Sequence, residues 1–133
     1  SLALSQAAIE SGWGTSRYMN EGNAIFGQYT YDKYSGIKPK QREIGEKFFI
    51  KKFVSLSESV RSYLKNINTH AAYDDFRNER RKLRMNGESL SGNVLANFLT
   101  NYSERNEAYV SDLKHLIETN NFMKFDKIEG LLN

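Results

Sequence analysis

The chain contains no cysteine, one proline and only two histidines in 133 residues. Without cysteine there are no disulfide bridges and no thiolate zinc sites, and the redox compartment leaves no mark. His70 and His115 are far apart and lack a metal-ligand spacing such as His-Glu-x-x-His, so both read as surface or capping residues and no metal site is expected. No apolar run approaches the length of a membrane span, and no signal peptide is visible. There is no repeat and no low-complexity linker. No run of Lys and Arg is long enough to favour nucleic acid as a partner. The densest cluster, residues 77–84, is interrupted by Glu79 and reads as a solvated helix face.

Hydrophobic residues make up 39% of the chain and aromatics 13%. That is enough to build a core, and the length predicts one domain over residues 1–133. The net charge of +3 is mild and suits an anionic polymer. The chain opens abruptly inside a helix-like segment and is expected to be a piece of a longer precursor.

The apolar spacing predicts a mainly helical fold. Residues 1–10 read as helix through Leu2, Leu4, Ala7, Ala8 and Ile9. Residues 16–21 predict a short helix closed by Gly22. Residues 24–31 are aromatic-rich and read as irregular or extended. The best β candidate is 37–53, with a hairpin turn over 43–46 and Pro39 at its entry or on an edge strand. Ser55 and Glu58 have the spacing of a capping box, and Leu56, Val60, Leu64 and Ile67 mark one face of the helix that follows. Further helices are predicted over 74–86, 91–101 and 106–120, with a short helix or loose end from Phe122.

One stretch carries chemistry. Ala7-Ala8-Ile9-Glu10-Ser11-Gly12-Trp13-Gly14 places a carboxylate at the end of an apolar segment, followed by a glycine-rich turn holding the only Trp. A carboxyl beside apolar groups is costly to ionise and can act as a proton donor near neutral pH. Glycines let a ligand approach the backbone, and an indole offers a flat face on which sugars stack. The same pattern also fits a helix end with a glycine cap and a core Trp.

Glu10-Ser11-Gly12-Trp13-Gly14 followed by Asn23-Ala24-Ile25-Phe26-Gly27-Gln28 resembles the signature of the bacterial endo-β-N-acetylglucosaminidases of glycoside hydrolase family 73. The segments 68–73, 83–87 and 102–110 resemble its Bax-type branch. The resemblance implies a mainly α, α+β fold: a lysozyme-like helical domain with a small β-hairpin lobe beside a substrate groove. It implies cleavage of the β-1,4 bond after N-acetylglucosamine in peptidoglycan, in the cell envelope, periplasmic or secreted, without metal or organic cofactor. By motif position Glu10 is the general acid.

A second catalytic group is expected on the hairpin lobe at Glu43 or Glu46, with Asp32 as a further candidate, unless the substrate's 2-acetamido group attacks instead. Tyr102 matches a tyrosine that the family places near the acid, and equally fits a core position at a helix junction. Ser11, Gly12, Trp13, Asn23, Phe26, Gln28, Tyr29, Tyr31 and Tyr73 are expected to line the cleft. Of these, Trp13 and Phe26 also read as core, Asn23 as a loop-positioning residue, and Tyr73 as a packing residue at a helix start. Tyr109 fits the core, and Glu104 with Arg105 reads as a local ion pair. The competing readings are a lysozyme-like muramidase, a lytic transglycosylase and a non-catalytic wall-binding module.

Overall fold

The computed structural model describes residues 1–127. It comprises two compact units, one formed by Ala7–Asn66 and the other by Ser1–Gln6 with the chain from Ile67 onward. Helix α1 (Leu2–Ser11) opens the chain.

In the Ala7–Asn66 unit, α1 is followed by α2 (Arg17–Gly22). Ser16 caps α2 by accepting the Met19 N–H at 3.1 Å. The helix closes one residue later than expected, at Asn23, which adopts the left-handed conformation. Gly22 is instead a packing glycine. A Cβ there would stand 2.7 Å from Ile37 Cδ1 and 2.8 Å from Lys52 Cβ.

The β element is a three-stranded antiparallel sheet of order β1-β3-β2, from β1 (Tyr29–Thr30), β2 (Gly36–Ile37) and β3 (Phe49–Lys51). Ile50 is central and buried, pairing Tyr29 on one side and Ile37 on the other. Only the ends of the expected 37–53 run are strands. Its middle is a loop with a turn at residues 43–46, where Glu46 N–H donates to the Glu43 carbonyl at 3.2 Å. Pro39 follows β2 in that loop, where its missing N–H costs no ladder bond. The third strand comes from the aromatic-rich stretch, where the Tyr29 ring stacks on Phe48 at 4.5 Å.

Helix α3 (Leu56–Thr69) starts with the expected capping residues. Ser55 Oγ accepts the Glu58 N–H at 3.2 Å, but the Glu58 carboxylate reaches back to Val54 N–H rather than to Ser55. The buried row is Ser59, Tyr63 and Ile67, whereas Leu56, Val60 and Leu64 remain substantially exposed. The helix is therefore turned about 60° from the orientation its apolar row predicts. The cause is specific pairing: Ser59 Oγ accepts the Ile25 N–H at 3.2 Å, and Tyr63 stacks on Phe26 with ring centroids 4.0 Å apart.

The other unit is helical. It contains α4 (Asp74–Met85), α5 (Gly92–Ala96) and α6 (Glu107–Thr119), with 3-10 turns at Ala71–Tyr73, Thr100–Tyr102 and Phe122–Lys127. Leu99, Leu113 and Ile117 are fully buried in its core, with Leu95, Ala96 and Tyr109 beside them. Helix α5 is shorter than expected, and its continuation is the Thr100–Tyr102 turn. His70 caps its neighbouring turn through Nδ1, which accepts the Ala72 N–H at 3.1 Å. Arg77 donates to the carbonyls of Ile67 and His70 at 3.0 and 2.8 Å, closing the C-terminal end of α3. The expectation for the tail beyond Lys127 lies outside the described residues. Among the described residues no helix is long and apolar enough to cross a membrane.

The fold is thus mainly α with a small antiparallel sheet.

Candidate active site

Glu10 sits on the last turn of α1 and is half-buried. The chain leaves the helix through three consecutive left-handed residues, Gly12 (φ 57°), Trp13 (φ 55°) and Gly14 (φ 79°). Ser11 holds this exit together: its buried hydroxyl donates to the Ala7 carbonyl at 2.6 Å and accepts the Gly14 N–H at 2.9 Å. Trp13 N–H donates to the Ala8 carbonyl at 2.8 Å, which offsets the strain of a non-glycine residue at positive φ. This turn carries the indole outward. Trp13 is 60% exposed, so the reading of it as a core residue is overturned.

The carboxylate of Glu10 is seated against Gly27. A Cβ at residue 27 would stand 2.6 Å from Glu10 Oε2 and would push the carboxylate aside, and the φ of 60° suits glycine as well. Four fastenings hold the segment around Gly27. Ile25 N–H bonds to Ser59, Phe26 stacks on Tyr63, Gln28 Nε2 donates to the Ser62 carbonyl at 3.5 Å, and the Gln28 carbonyl accepts the Lys51 N–H at 2.7 Å. Phe26 is 5% exposed and belongs to the core. Gln28 Oε1 is buried without a hydrogen-bond partner among the described residues, a costly state for an acceptor. Asn23 Nδ2 donates to the Phe53 carbonyl at 3.0 Å, so it ties the loop before this segment to the end of the sheet.

The hairpin carboxylates are exposed. Glu46 turns inward on its own loop, where Oε2 accepts the Glu43 N–H at 3.0 Å. Asp32 forms an Asx turn, accepting the Tyr34 N–H at 3.0 Å. That bond, with one from the Ser35 side chain, holds its carboxyl below the usual aspartate value. A carboxylate so stabilised is a weaker base. Tyr29 and Tyr31 are exposed at 58% and 81% on the same lobe.

In the helical unit the expected tyrosines form a ladder. Tyr73 and Tyr102 have ring centroids 6.0 Å apart, and Tyr102 lies parallel to Tyr109 at 5.7 Å. Tyr109 is buried in the core, and its hydroxyl accepts from Gln6 Nε2 at 3.1 Å. Tyr102 is half-buried, whereas Tyr73 is only 7% exposed and offers little ring to a ligand. Arg105 pairs with Asp112 at 2.7 Å, which corrects the expected pairing with Glu104.

Sequence reasoning passed over Gln6 and Ser59, two polar residues with no exposure. Their signal was their place on the buried rows, Gln6 four residues before Glu10 and Ser59 four before Tyr63.

A family model described as mannosyl-glycoprotein endo-beta-N-acetylglucosaminidase matches residues 1–122. Among curated proteins, Protein bax of Escherichia coli (strain K12) is 32% identical over 120 residues, or 90% of this chain. The chain spans 42% of that relative's length. No solved structure gives a significant match. The motif around Glu10 and the segment that seats its carboxylate both fall within the matched residues, and the chain belongs to the glucosaminidase family.

Proposed function

We propose that this chain is a glycoside hydrolase domain acting on cell-wall glycan outside the cytoplasm. It cleaves the β-1,4 bond after N-acetylglucosamine in peptidoglycan. The observation that carries the reading is the seating of Glu10: a half-buried carboxylate held against the bare Cα of Gly27, both within the family match.

Glu10 acts as general acid, giving its proton to the glycosidic oxygen as the bond to the anomeric carbon breaks. Either water, activated by a second carboxylate at Glu43 or Glu46, or the substrate's own 2-acetamido oxygen fills the vacated position at that carbon. Tyr102 orients the acetamido group or the attacking water through its phenol. Exposed Trp13, Tyr29 and Tyr31 supply stacking faces, and Gln28 Oε1 accepts from an N–H or O–H of the sugar. Ser11, Gly12, Asn23 and Phe26 serve this site by shaping its backbone and packing.

The test is digestion of purified peptidoglycan by wild type and Glu10→Gln, with mass spectrometry of borohydride-reduced products. Reduced N-acetylglucosamine ends from wild type alone are the expected result. Reduced muramic ends would move the chain to the muramidases, and anhydromuramic ends to the lytic transglycosylases. No products from a folded wild type would leave a binding module.

A further inference from the structure

The charge of this chain is unevenly spread. Residues 33–65 carry nine Lys and Arg against three Glu, whereas the whole chain carries 19 against 16. Part of that excess gathers in a shallow groove of about 390 Å³ between the end of β3 and the outer face of α3. Lys51, Lys52, Arg61 and Lys65 line it, with Glu58 the one carboxylate among them. Glu58 Oε2 is already engaged by the Val54 N–H, and neither Lys52 nor Arg61 is ion-paired among the described residues. Four cations against one carboxylate give this surface a net positive field for an anion to meet.

The groove also touches the seat of Glu10. Lys51 N–H and the Ser62 carbonyl, both from lining residues, hold Gln28, the neighbour of Gly27. Its lining is not only cationic, because Phe53 and the 89% exposed Val54 belong to it. A bare phosphodiester chain has no use for apolar lining. A short peptide with carboxylates and small apolar side chains uses both.

We propose that this groove is a subsite for the peptide stems of the glycan, with Lys52 and Arg61 binding their carboxylates. This inference rests on the glycan-cleaving reading, since the sugars at the cleaved bond are neutral there and the stems supply the charge.

The test is the double charge reversal Lys52→Glu/Arg61→Glu, at two exposed positions outside the catalytic machinery. Two substrates are compared: intact peptidoglycan, and glycan strands stripped of their stems by an amidase and then capped as methyl amides at the lactyl carboxylates that the amidase exposes. The variant is expected to raise KM about fivefold on intact material at low salt with kcat unchanged, and to match wild type on stripped strands. The difference fades near 1 M salt, where the Debye length is about 3 Å. In parallel, each form in a Glu10→Gln background is pelleted with both materials, with and without added polyphosphate. Stem-dependent pelleting lost in the reversal supports the subsite. An equal loss on both materials, no loss on either, or tighter binding to polyphosphate than to stems overturns it. If wild type cuts neither substrate, the proposed function fails, while the pelleting result still decides the groove.

Discussion

Gly27 presses its bare Cα against the carboxylate of Glu10, where a methyl group would come within 2.6 Å of Oε2. Gly27→Ala is therefore expected to displace the proposed acid while the fold survives. Misplacement by about 1 Å can cost a factor of about 100 in rate. Gly87→Ala is the control: its φ of 69° imposes similar backbone strain, roughly 1–2 kcal/mol, with nothing within 4 Å of the new methyl. Thermal melts and kcat on peptidoglycan for both variants check this. Equal activity in the two would show that the Gly27 contact does not position the acid.

Tyr102 and Tyr109 lie parallel, but only Tyr109 is fully buried, with its hydroxyl bonded to Gln6. Tyr109→Phe removes an acceptor from a buried donor and should cost about 1–3 kcal/mol in urea denaturation. Tyr102→Phe keeps the ring stack and should cost less than about 1 kcal/mol, while turnover falls about tenfold through loss of one transition-state hydrogen bond. Unchanged turnover in Tyr102→Phe would return that residue to a packing role.

The hairpin carboxylates separate the two mechanisms. If one of them activates water, either Glu43→Gln or Glu46→Gln should lower kcat by about 100-fold or more, the usual worth of a general base. The Glu46 carboxylate also accepts the Glu43 N–H, so a small loss of stability in Glu46→Gln is expected in either case. Full activity in both variants would exclude a hairpin base and leave the acetamido group as the attacking atom.

Asp32 gives a prediction about acid. Its carboxyl is held below 3.8, chiefly by the Tyr34 N–H. The folded value lies below the unfolded one, so the contribution to stability is present above pH 3.8 and lost as pH falls through the folded value. Carbon-13 titration of the Asp32 carboxyl should give a midpoint below 3.8, and Asp32→Asn should abolish that step without changing the activity profile between about pH 5 and pH 8. A midpoint above 4 would contradict the turn geometry.

Trp13 stands out in solvent at the turn after Glu10. Trp13→Ala should shift stability by no more than about 0.5 kcal/mol, as exposed substitutions do. KM on glycan strands should rise up to about tenfold, the upper range for one aromatic stacking contact. Isothermal binding to chitooligosaccharides checks the same point without catalysis. Strong destabilisation would mean that the indole packs after all.

Much of this protein was determined by local sequence. The helix that carries Glu10 on its last turn, the Ser16 and Ser55 caps, the glycine-rich turn and the amphipathic α6 follow from short-range periodicity and capping chemistry, which act within a few residues. The motif pair spanning Glu10 and Gly27 was legible too, because spacing survives without a structure. Tertiary contacts decided the rest. Only the Ile25–Ser59 bond and the Phe26–Tyr63 stack explain why α3 buries Ser59 and Tyr63 beside Ile67 in place of Leu56, Val60 and Leu64. Only pairing across about 20 residues recruits Tyr29–Thr30 as a strand beside Phe49–Lys51. Trp13 reads as core by hydrophobicity, yet a backbone at positive φ turns it outward. Hydrophobicity says what gains from burial, but the partners available in space decide which face is buried.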